Sequence, residues 1–457
     1  MLDNRLTNTA VAQLARYVTG GIIRPGDPAF DQARRVWNGA IDKVPALIAR
    51  CATVDEVVAA VKFARAHDLL VAVRGGGHSV AGHGTCDGGL IIDLSLMQAV
   101  EIDPQRRVAL VQGGAKWGGF DRAAQAHGLA VTGGIMSETG VGGLTLGGGI
   151  GWLMRKHGLT ADNLLGAELV TAQGCVLRTS GQENPELFWG LQRGGGNFGI
   201  VTQFRFRLHP VGPIVLAGWA LYPQQKAAEV LQFYREFSAT APGELTTIAI
   251  LRRLPHLPSL PPFLRGMPVI GIAACYCGVI EAGERVVQPL RAFGPPLADG
   301  ITLKRYVAHQ KMFDAAQPAG RSNYWKTAYL AKLADPAIDA VVQGAERMTS
   351  PLSVLAIYQL GGAARLGDAA FCINAAATWT DPAENDKHIG WAREFAAAVE
   401  PYSSAGAYVN FLGEETEERV RSSYRENIER LRALKDRYDP INMFRFNQNI
   451  RPRLSGD

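Results

Sequence analysis

The sequence predicts an α+β fold with two domains and a C-terminal module. With 457 residues the chain is longer than one hydrophobic core normally supports. Its 52 glycines are concentrated before residue 200, among short apolar strands that alternate with helices. After the segment 208–211 glycine thins and prolines gather. We therefore expect a first domain over 1–212, a second over 213–405 and a C-terminal module over 406–457.

The first domain shows alternating strand and helix patterns. ALIARCAT and LLVAVR have the pattern of strands, and VDEVVAAVKFARAHDL between them has apolar residues at helical spacing. GGLIIDLSLM, RVALVQGGA and AELVTAQGCVLR indicate further strands, which end at glycine-containing turns. GGFDRAAQAHGLA and ELFWGLQRGG indicate helices ended by glycine. This order is typical of a mixed α/β or α+β domain.

The second domain is expected to hold an antiparallel sheet backed by helices. Its strand candidates are IVLAGWALY, PVIGIAACYCGVI, SVLAIYQLGG and AAFCINAAATW. QQKAAEVLQFYREFSAT and KHIGWAREFAAAVE lie among them with helical spacing. In the C-terminal module, the charged run ETEERVRSSYRENIERLRALKDRYD predicts one long helix.

Charge and composition exclude several classes of protein. Hydrophobic residues make up 47% of the chain and charged residues 19%, which is the balance of a globular protein. The formal net charge is only +5 and no Lys/Arg-rich run occurs, so no nucleic-acid or membrane partner is indicated. The N-terminal sequence has neither an apolar signal core nor a twin arginine, so we expect a soluble, cytoplasmic protein.

The six cysteines include no C-x-x-C pair. Cys275 and Cys277 alternate on a predicted strand and point the same way, but no histidine pair accompanies them. Two buried thiols are therefore favoured over a zinc site, and no metal is expected.

A glycine cluster directly after a strand indicates an anion site. Consecutive glycines, Gly75 to Gly77, lie between Arg74 and His78, so backbone N–H groups can converge on a pyrophosphate without obstruction by side chains. A tight turn is the simpler alternative. The cluster lacks the Gly-Lys-Ser/Thr of a phosphate-binding P-loop and the G-x-G-x-x-G of a Rossmann unit. A nucleotide here would be held in another way.

Two more glycine clusters follow, TGVGGLTLGGGIG at 139–151 and RGGGNFG at 193–199. Such runs forgo side-chain packing and carry an entropic cost on folding. They are tolerated where a large planar ligand lies against the backbone. Each cluster alone is weak evidence, whereas their order and their places at strand ends are more specific.

Together these segments resemble a known family. VRGGGHS, TGVGGLTLGGGIGWLMRKHGLTADNL and ELFWGLQRGGGNFGIVTQFRFRLHPV are similar to the PCMH-type FAD-binding domain of the vanillyl-alcohol-oxidase superfamily. The tail, YVNFLGEETEERVRSSYRENIERLRALKDRYDPINMFRFNQNI, resembles the C-terminal module of berberine-bridge-enzyme-like oxidases. The resemblance covers nearly the whole chain, although the middle segment matches only by position.

The resemblance implies FAD, attached covalently through His78. Many relatives add a cysteine link, but Met136 stands at the matching position, which implies a single attachment. A tyrosine that is frequent two residues after the histidine is Val80 here. The remaining cofactor-binding residues implied are Arg74, Gly75, Gly76, Gly77, Ser79, Gly82, Gly140, Gly142, Gly143, Gly149, Asn163, Ile200, Val201, Tyr408, Asn410, Asn447 and Asn449.

The implied reaction is hydride removal from a C–H next to an alcohol or amine of a small molecule, with O2 reduced to H2O2. Tyr408 is the first candidate for the proton-accepting base and Glu138 the second, with Lys326 or Arg365 as a cationic neighbour that lowers the tyrosine pKa. Thr139 occupies the position of the family's oxygen gatekeeper. A dehydrogenase with another electron acceptor, and a flavin-binding protein with little turnover, stay open as alternatives. The sequence leaves the substrate and the oligomeric state open.

Overall fold

The computed structural model describes residues 6–258, 260–413 and 415–453. Four β-sheets with flanking helices form an α+β fold, as the sequence predicts. Among the described residues, no helix is long and apolar enough to cross a bilayer.

The first sheet has four strands in the order β1-β2-β4-β3. The strands are β1 Ile22–Ile23, β2 Leu47–Arg50, β3 Val71–Arg74 and β4 Leu90–Asp93. β4 pairs in parallel with both β2 and β3, whereas β1 is antiparallel to β2. Every residue of β4 is buried, as expected for a strand covered on both faces. The cluster 75–77 follows β3 directly.

The second sheet has five antiparallel strands in the order β5-β6-β10-β8-β9, and a two-stranded ribbon of β7 and β11 lies outside it. The strands of these two sheets are β5 Val100–Asp103, β6 Val108–Gln112, β7 Leu129–Ala130, β8 Leu164–Val170, β9 Val176–Ser180, β10 Ile200–Arg207 and β11 His209–Pro210. The helices around the first two sheets are α1 Asn8–Ala15, α2 Phe30–Arg34, α3 Val54–Ala66, α4 Trp117–Gln125, α5 Val141–Leu146, α6 Met154–His157 and α7 Pro185–Leu191.

The third sheet is antiparallel and runs β15-β12-β14-β13-β18-β19-β17, with β16 also paired to β12. Its strands are β12 Ile214–Pro223, β13 Leu245–Arg253, β14 Pro268–Tyr276, β15 Ala298–Asp299, β16 Thr302–Arg305, β17 Ser322–Leu330, β18 Val354–Gln359 and β19 Phe371–Trp379. The helices of this region are α8 Ala227–Thr240, α9 Ile280–Ala292, α10 Tyr306–Gln310, α11 Asp335–Glu346 and α12 Asn385–Val399. Apolar residues of α8, α9, α11 and α12 share one core with one face of the sheet. The opposite face of the sheet is not covered by these helices.

The prediction of one long C-terminal helix is wrong. The run forms α13 Glu417–Tyr424 and α14 Ile428–Tyr438, separated by a 3-10 turn at 425–427. The break falls at Arg425, whose φ is +51° and whose guanidinium donates to the Ala405 carbonyl at 2.8 Å. Apolar residues of both helices share a core with the second sheet, so the tail returns to this sheet.

The two alternating cysteines are packing residues. Cys275 and Cys277 are buried, and burial raises the pKa of both thiols, that of Cys277 to about 11. No group of three or more His, Cys, Asp or Glu side chains is placed to hold a metal within the described ranges.

Candidate active site

A cavity of about 370 Å³ lies between the glycine-rich loops near the first two sheets and one face of the third sheet. Three parts of the chain line it: loops from the first two sheets, strands β13, β17, β18 and β19, and the tail around 408–412 and 444–448. We call its backbone side the glycine wall, defined by Gly75, Gly76, Gly77, Gly140, Gly142 and Gly143. We call its other side the sheet wall, defined by Ile250, Arg252, Trp325, Val354, Ala356, Tyr358, Asn374 and Ala376.

The glycine wall exists because two loops meet with backbone against backbone. A Cβ on Gly76 would lie 2.3 Å from the Gly140 nitrogen, and a Cβ on Gly140 would lie 2.4 Å from the Gly76 nitrogen. Neither position therefore accepts a side chain. Gly77 adds a φ of +64°, a left-handed conformation that favours glycine. Gly143 differs, because a Cβ on this residue would have no protein atom within 4 Å, so it faces open space at the wall.

His78 stands at the edge of the glycine wall with one ring nitrogen unused. Its ring stacks on Trp37 with centroids 4.3 Å apart and planes 16° apart. Its Nε2 is buried and has no hydrogen-bond partner in the described structure. Burial lowers the pKa of His78 to about 4, so the imidazole is neutral at physiological pH. A neutral imidazole keeps the lone pair that bond formation requires.

His83 resembles His78 in every one of these electrostatic respects. It lines the same cavity, its Nε2 is buried without a partner, and burial lowers its pKa to about 4. The sequence patterns did not single out His83, because it lies several residues after the glycine cluster, whereas His78 follows the cluster directly. The two histidines are a natural matched pair for experiments.

The tail fixes Tyr408 through its oxygen. The N–H groups of Gly149 and Ile150 and the amide of Asn410 each donate to the Tyr408 hydroxyl at 2.9 Å. A phenol has two acceptor lone pairs and one hydrogen, so these donors fill its acceptor capacity. Burial raises the pKa of Tyr408 to about 12, although the three donors act in the opposite direction. The side chain is a neutral phenol at physiological pH.

The cationic neighbour expected for Tyr408 is absent from its described contacts. The Lys326 ammonium pairs with Glu415 at 2.6 Å, and Arg365 is exposed. Glu138 is also placed differently from a buried base. It lies outside the cavity lining and pairs with Lys116 at 2.8 Å, and that hydrogen bond lowers its pKa.

The structure brings most of the sequence-predicted cofactor-binding and catalytic residues to one cavity. Those in the lining are Gly75, Gly76, Gly77, His78, Ser79, Thr139, Gly140, Gly142, Gly143, Ile200, Val201, Tyr408, Asn410 and Asn447. Those outside it are Arg74, Gly82, Glu138, Gly149, Asn163 and Asn449.

Four of the residues outside the lining have identifiable partners or neighbours, whereas the side-chain oxygen of Asn449 is buried without a hydrogen-bond partner in the described structure. The Arg74 guanidinium pairs with buried Asp93 at 2.8 Å, so it braces β3 against β4. Gly82 faces Ile41, where a Cβ would lie 2.7 Å from a side-chain carbon. Gly149 donates its N–H to Tyr408. The Asn163 amide donates to the His157 and Leu159 carbonyls, and therefore anchors the loop behind the cavity.

The sheet wall contains the side chains that the sequence patterns missed. Strand register places Arg252, Val354, Ala376 and Trp325 in one row across the sheet. A second row contains Ile250, Ala356 and Asn374, and Tyr358 lies in a third row. Alternation along SVLAIYQ already puts residues 354, 356 and 358 on one face, but the sequence does not reveal that this face lines a cavity.

The contacts around the cavity suit a flavin dinucleotide. The glycine wall offers backbone donors and a surface without side chains, and Gly143 has open space in front of it. His78 offers a buried, unpartnered ring nitrogen. Met136 is in the lining and no cysteine among the described residues is. The residues present fit FAD.

Two family models match the chain. One, described as FAD binding domain, matches residues 45–180, and the other, described as berberine and berberine like, matches residues 407–451. The (R)-6-hydroxynicotine oxidase of Paenarthrobacter nicotinovorans is 32% identical over 96% of this chain and 98% of its own length. The chain belongs to the berberine-bridge-like FAD-linked oxidoreductases.

Solved structures of this family share the fold. The 6-hydroxy-D-nicotine oxidase from Arthrobacter nicotinovorans matches with a TM-score of 0.86 and 30% identity over 95% of this chain and 98% of that one. Glucooligosaccharide oxidase from Acremonium strictum matches with a TM-score of 0.86 at 23% identity, over 97% of this chain and 99% of that one. This berberine-bridge-like protein is thus an FAD-linked oxidoreductase of the PCMH-type fold, and relatives of this kind act on small molecules.

Proposed function

We propose that the protein is an oxidase that removes hydride from a C–H next to an alcohol or amine and reduces O2 to H2O2. We also propose that residues 1–212 hold the cofactor, residues 213–405 hold the substrate, and residues 406–457 complete the site. The observation that carries this is the cavity itself, whose glycine wall and His78 suit a flavin while its sheet wall suits a small molecule.

His78 is proposed as the single covalent attachment of the flavin. Its neutral, unpartnered imidazole supports this, as does the stack on Trp37 that fixes the ring plane. The name of the glucooligosaccharide oxidase structure describes a flavin joined to both a histidine and a cysteine in that enzyme. Here Met136 supplies only a thioether, so one bond is expected. When bound, FAD supplies the hydride acceptor.

Two tyrosines are proposed to handle the substrate's polar hydrogen. Tyr408 has its acceptor sites filled, so it can only donate its hydroxyl hydrogen, and this fits an orienting role better than that of the base. Tyr358 lines the cavity, and its hydroxyl has no hydrogen-bond partner among the described residues. Burial raises the pKa of Tyr358 well above its usual range, so the side chain is a neutral phenol that can accept a hydrogen bond. No Asp, Glu or Lys from the described ranges lines the cavity. Tyr358 is therefore proposed to orient the substrate's O–H or N–H by accepting a hydrogen bond from it, and neither tyrosine is assigned as the base in place of Glu138.

Anaerobic mixing with a panel of alcohols and amines tests the function. The flavin absorption should bleach with a substrate, return in air and release one H2O2 per turnover. Bleaching without recovery in air would make the protein a dehydrogenase, and no bleaching by any member would favour a binding protein. Tyr358→Phe should slow bleaching by a productive alcohol at least tenfold, a loss of about 1.4 kcal/mol of transition-state stabilisation.

A further inference from the structure

We propose that this cavity selects substrates with a carboxylate group, and that Arg252 binds that carboxylate. The inference rests on the proposed function, because it takes the cavity as the place where substrate binds. It adds a substrate class and a specificity residue. Arg252 is a binding residue in this proposal and takes no part in hydride or proton transfer.

Arg252 is a buried cation that the described protein leaves unpaired. Its exposed fraction is 5%, and its one hydrogen bond runs from Nε to the Arg253 carbonyl at 3.1 Å. No hydrogen bond joins its two terminal nitrogens to a described residue, and no described carboxylate pairs with it. Arg252 is among the residues that line the cavity, so we infer that these N–H groups are available to a ligand there.

The other buried basic side chains of the protein show how unusual this is. Arg155 is 7% exposed and donates to four carbonyls at 2.5–3.2 Å. Arg74 is 9% exposed and pairs with Asp93. Lys435 is fully buried and reaches Asp439 at 2.6 Å together with two carbonyls. Buried charges are normally paired in this way, because an unpaired one is costly to desolvate. Arg252 is the exception, and it alone of the four faces the cavity.

The surroundings of Arg252 add positive potential and no acid. Burial and the neighbouring Arg321 together lower its pKa to about 10, which still leaves the guanidinium charged. Arg321 uses one guanidinium nitrogen on the Ala316 carbonyl at 3.0 Å. The planar fork of a guanidinium matches a carboxylate in a bidentate pair, and such a pair is strong where water is excluded.

The distance between Arg252 and Tyr358 along the sheet wall indicates how long the substrate should be. Its row lies at one end of the sheet wall and Tyr358 lies two rows away. Tyr358 is opposite Ile248, and four residues on β13 span roughly 13 Å. The side-chain carbonyl oxygen of Asn374, buried without a partner, lies in the row between. An elongated substrate would place its carboxylate at Arg252 and its alcohol or amine toward the tyrosines.

The experiment is a titration of the FAD-loaded protein with neutral and anionic probes of equal shape. The probes are benzoate, phenylacetate and 3-phenylpropionate, each against its own primary amide, followed through the flavin absorption spectrum and through heat of binding. At least one carboxylate should bind at least tenfold more tightly than its amide. Arg252→Gln should abolish that preference, Arg252→Lys should keep part of it, and Arg253→Gln, on the exposed neighbour, should leave it unchanged.

Melting temperatures separate a binding role from a structural one. Removal of an unpaired buried charge does not weaken the fold, so Arg252→Met should melt no lower than the wild type, whereas Arg155→Met should melt well below it. The inference is overturned if no carboxylate binds more tightly than its amide, if the preference persists in Arg252→Gln, or if Arg252→Met melts well below the wild type. The titration needs no turnover, so its failure would contradict this inference without contradicting the oxidase proposal. An enzyme that oxidises only neutral substrates would have the same effect.

Discussion

The two walls of the cavity are built by opposite means. The glycine wall presents backbone, and its shape depends on positions such as Gly76 and Gly140 that have no room for a Cβ. The sheet wall presents side chains in rows, on a frame that accepts many residues at each position. A constant ligand can be recognised by backbone, whereas a substrate that varies between relatives is recognised by side chains. The cofactor could therefore be predicted from the sequence and the substrate could not.

We expect the largest effect at the glycine wall, where two loops are in direct backbone contact. Gly140→Ala places a methyl group 2.4 Å from the Gly76 nitrogen, and neither loop can yield without moving the other. We expect little folded protein, or a loss of more than about 3 kcal/mol in the free energy of unfolding. Denaturant unfolding measures this. Gly119→Ala, on α4 with no atom within 4 Å of the new methyl, is the control and should be neutral or slightly stabilising.

Gly143 separates folding from cofactor binding within the same wall. Its Cβ would meet no protein atom within 4 Å, so Gly143→Ala should fold like the wild type. If FAD packs against this backbone, the methyl group should still lower FAD content or affinity severalfold. Full FAD content in the variant would place the cofactor elsewhere in the cavity.

The covalent bond provides the next test, because two buried histidines line the cavity. His78→Ala should release all FAD on acid precipitation, whereas His83→Ala should keep the flavin in the pellet. Peptide mapping of the wild type should find flavin only on the fragment that contains His78. Flavin on a fragment with His83, or on any cysteine fragment, contradicts the single bond at His78.

The parts of the fold that were predictable have local causes. Strand β3 could be predicted from its apolar residues, and the turn after it from the conformational freedom of Gly75 to Gly77. The break between α13 and α14 has no local cause, since the run holds neither glycine nor proline, and a contact from Arg425 to the distant Ala405 accompanies it. The role of Arg252 could not be predicted either, because it also depends on contacts between distant parts of the chain. Only strand pairing shows which face of β13 lines the cavity.

A substitution on the sheet wall should slow reduction of the flavin by substrate without changing the amount of FAD that the protein retains. Ala356→Leu adds volume in the middle row, between Ile250 and Asn374. We expect FAD content and attachment to stay at wild-type values, while anaerobic reduction by a productive substrate slows more than about tenfold, or 1.4 kcal/mol. Stopped-flow absorbance measures the reduction. Loss of FAD in this variant would show that the two walls are not independent.

Acid should lower the free energy of unfolding of the protein through the buried histidines that line the cavity. Burial lowers the pKa of His83 to about 4, whereas an unfolded histidine titrates near 6.5. Between these values the unfolded chain binds more protons, so the free energy of unfolding falls as pH drops from about 6.5 toward 4. His83→Gln cannot protonate there and should lose about 3 kcal/mol less than the wild type over this interval. His127→Gln, at an exposed position, should follow the wild-type curve, and a His83→Gln curve that also follows it would refute the prediction.

Thr139 lies beside the glycine wall, and its substitution should affect only one of the two half-reactions. The residue lines the cavity immediately before Gly140, and its carbonyl accepts from the Trp117 N–H at 3.0 Å, which fixes the backbone while the side chain stays at the cavity surface. If this side chain borders the path of O2, Thr139→Leu should slow reoxidation of reduced flavin by about tenfold, because packed interiors yield little to added volume. Reduction by a substrate that binds on the sheet wall should change less than about twofold, a difference of 0.4 kcal/mol. Thr139→Val keeps the volume and should reoxidise like the wild type, so it separates size from the loss of the hydroxyl. Equal slowing of both half-reactions in Thr139→Leu would mean that the residue supports the cavity as a whole, and the proposal of O2 as acceptor would then lose its residue-level argument.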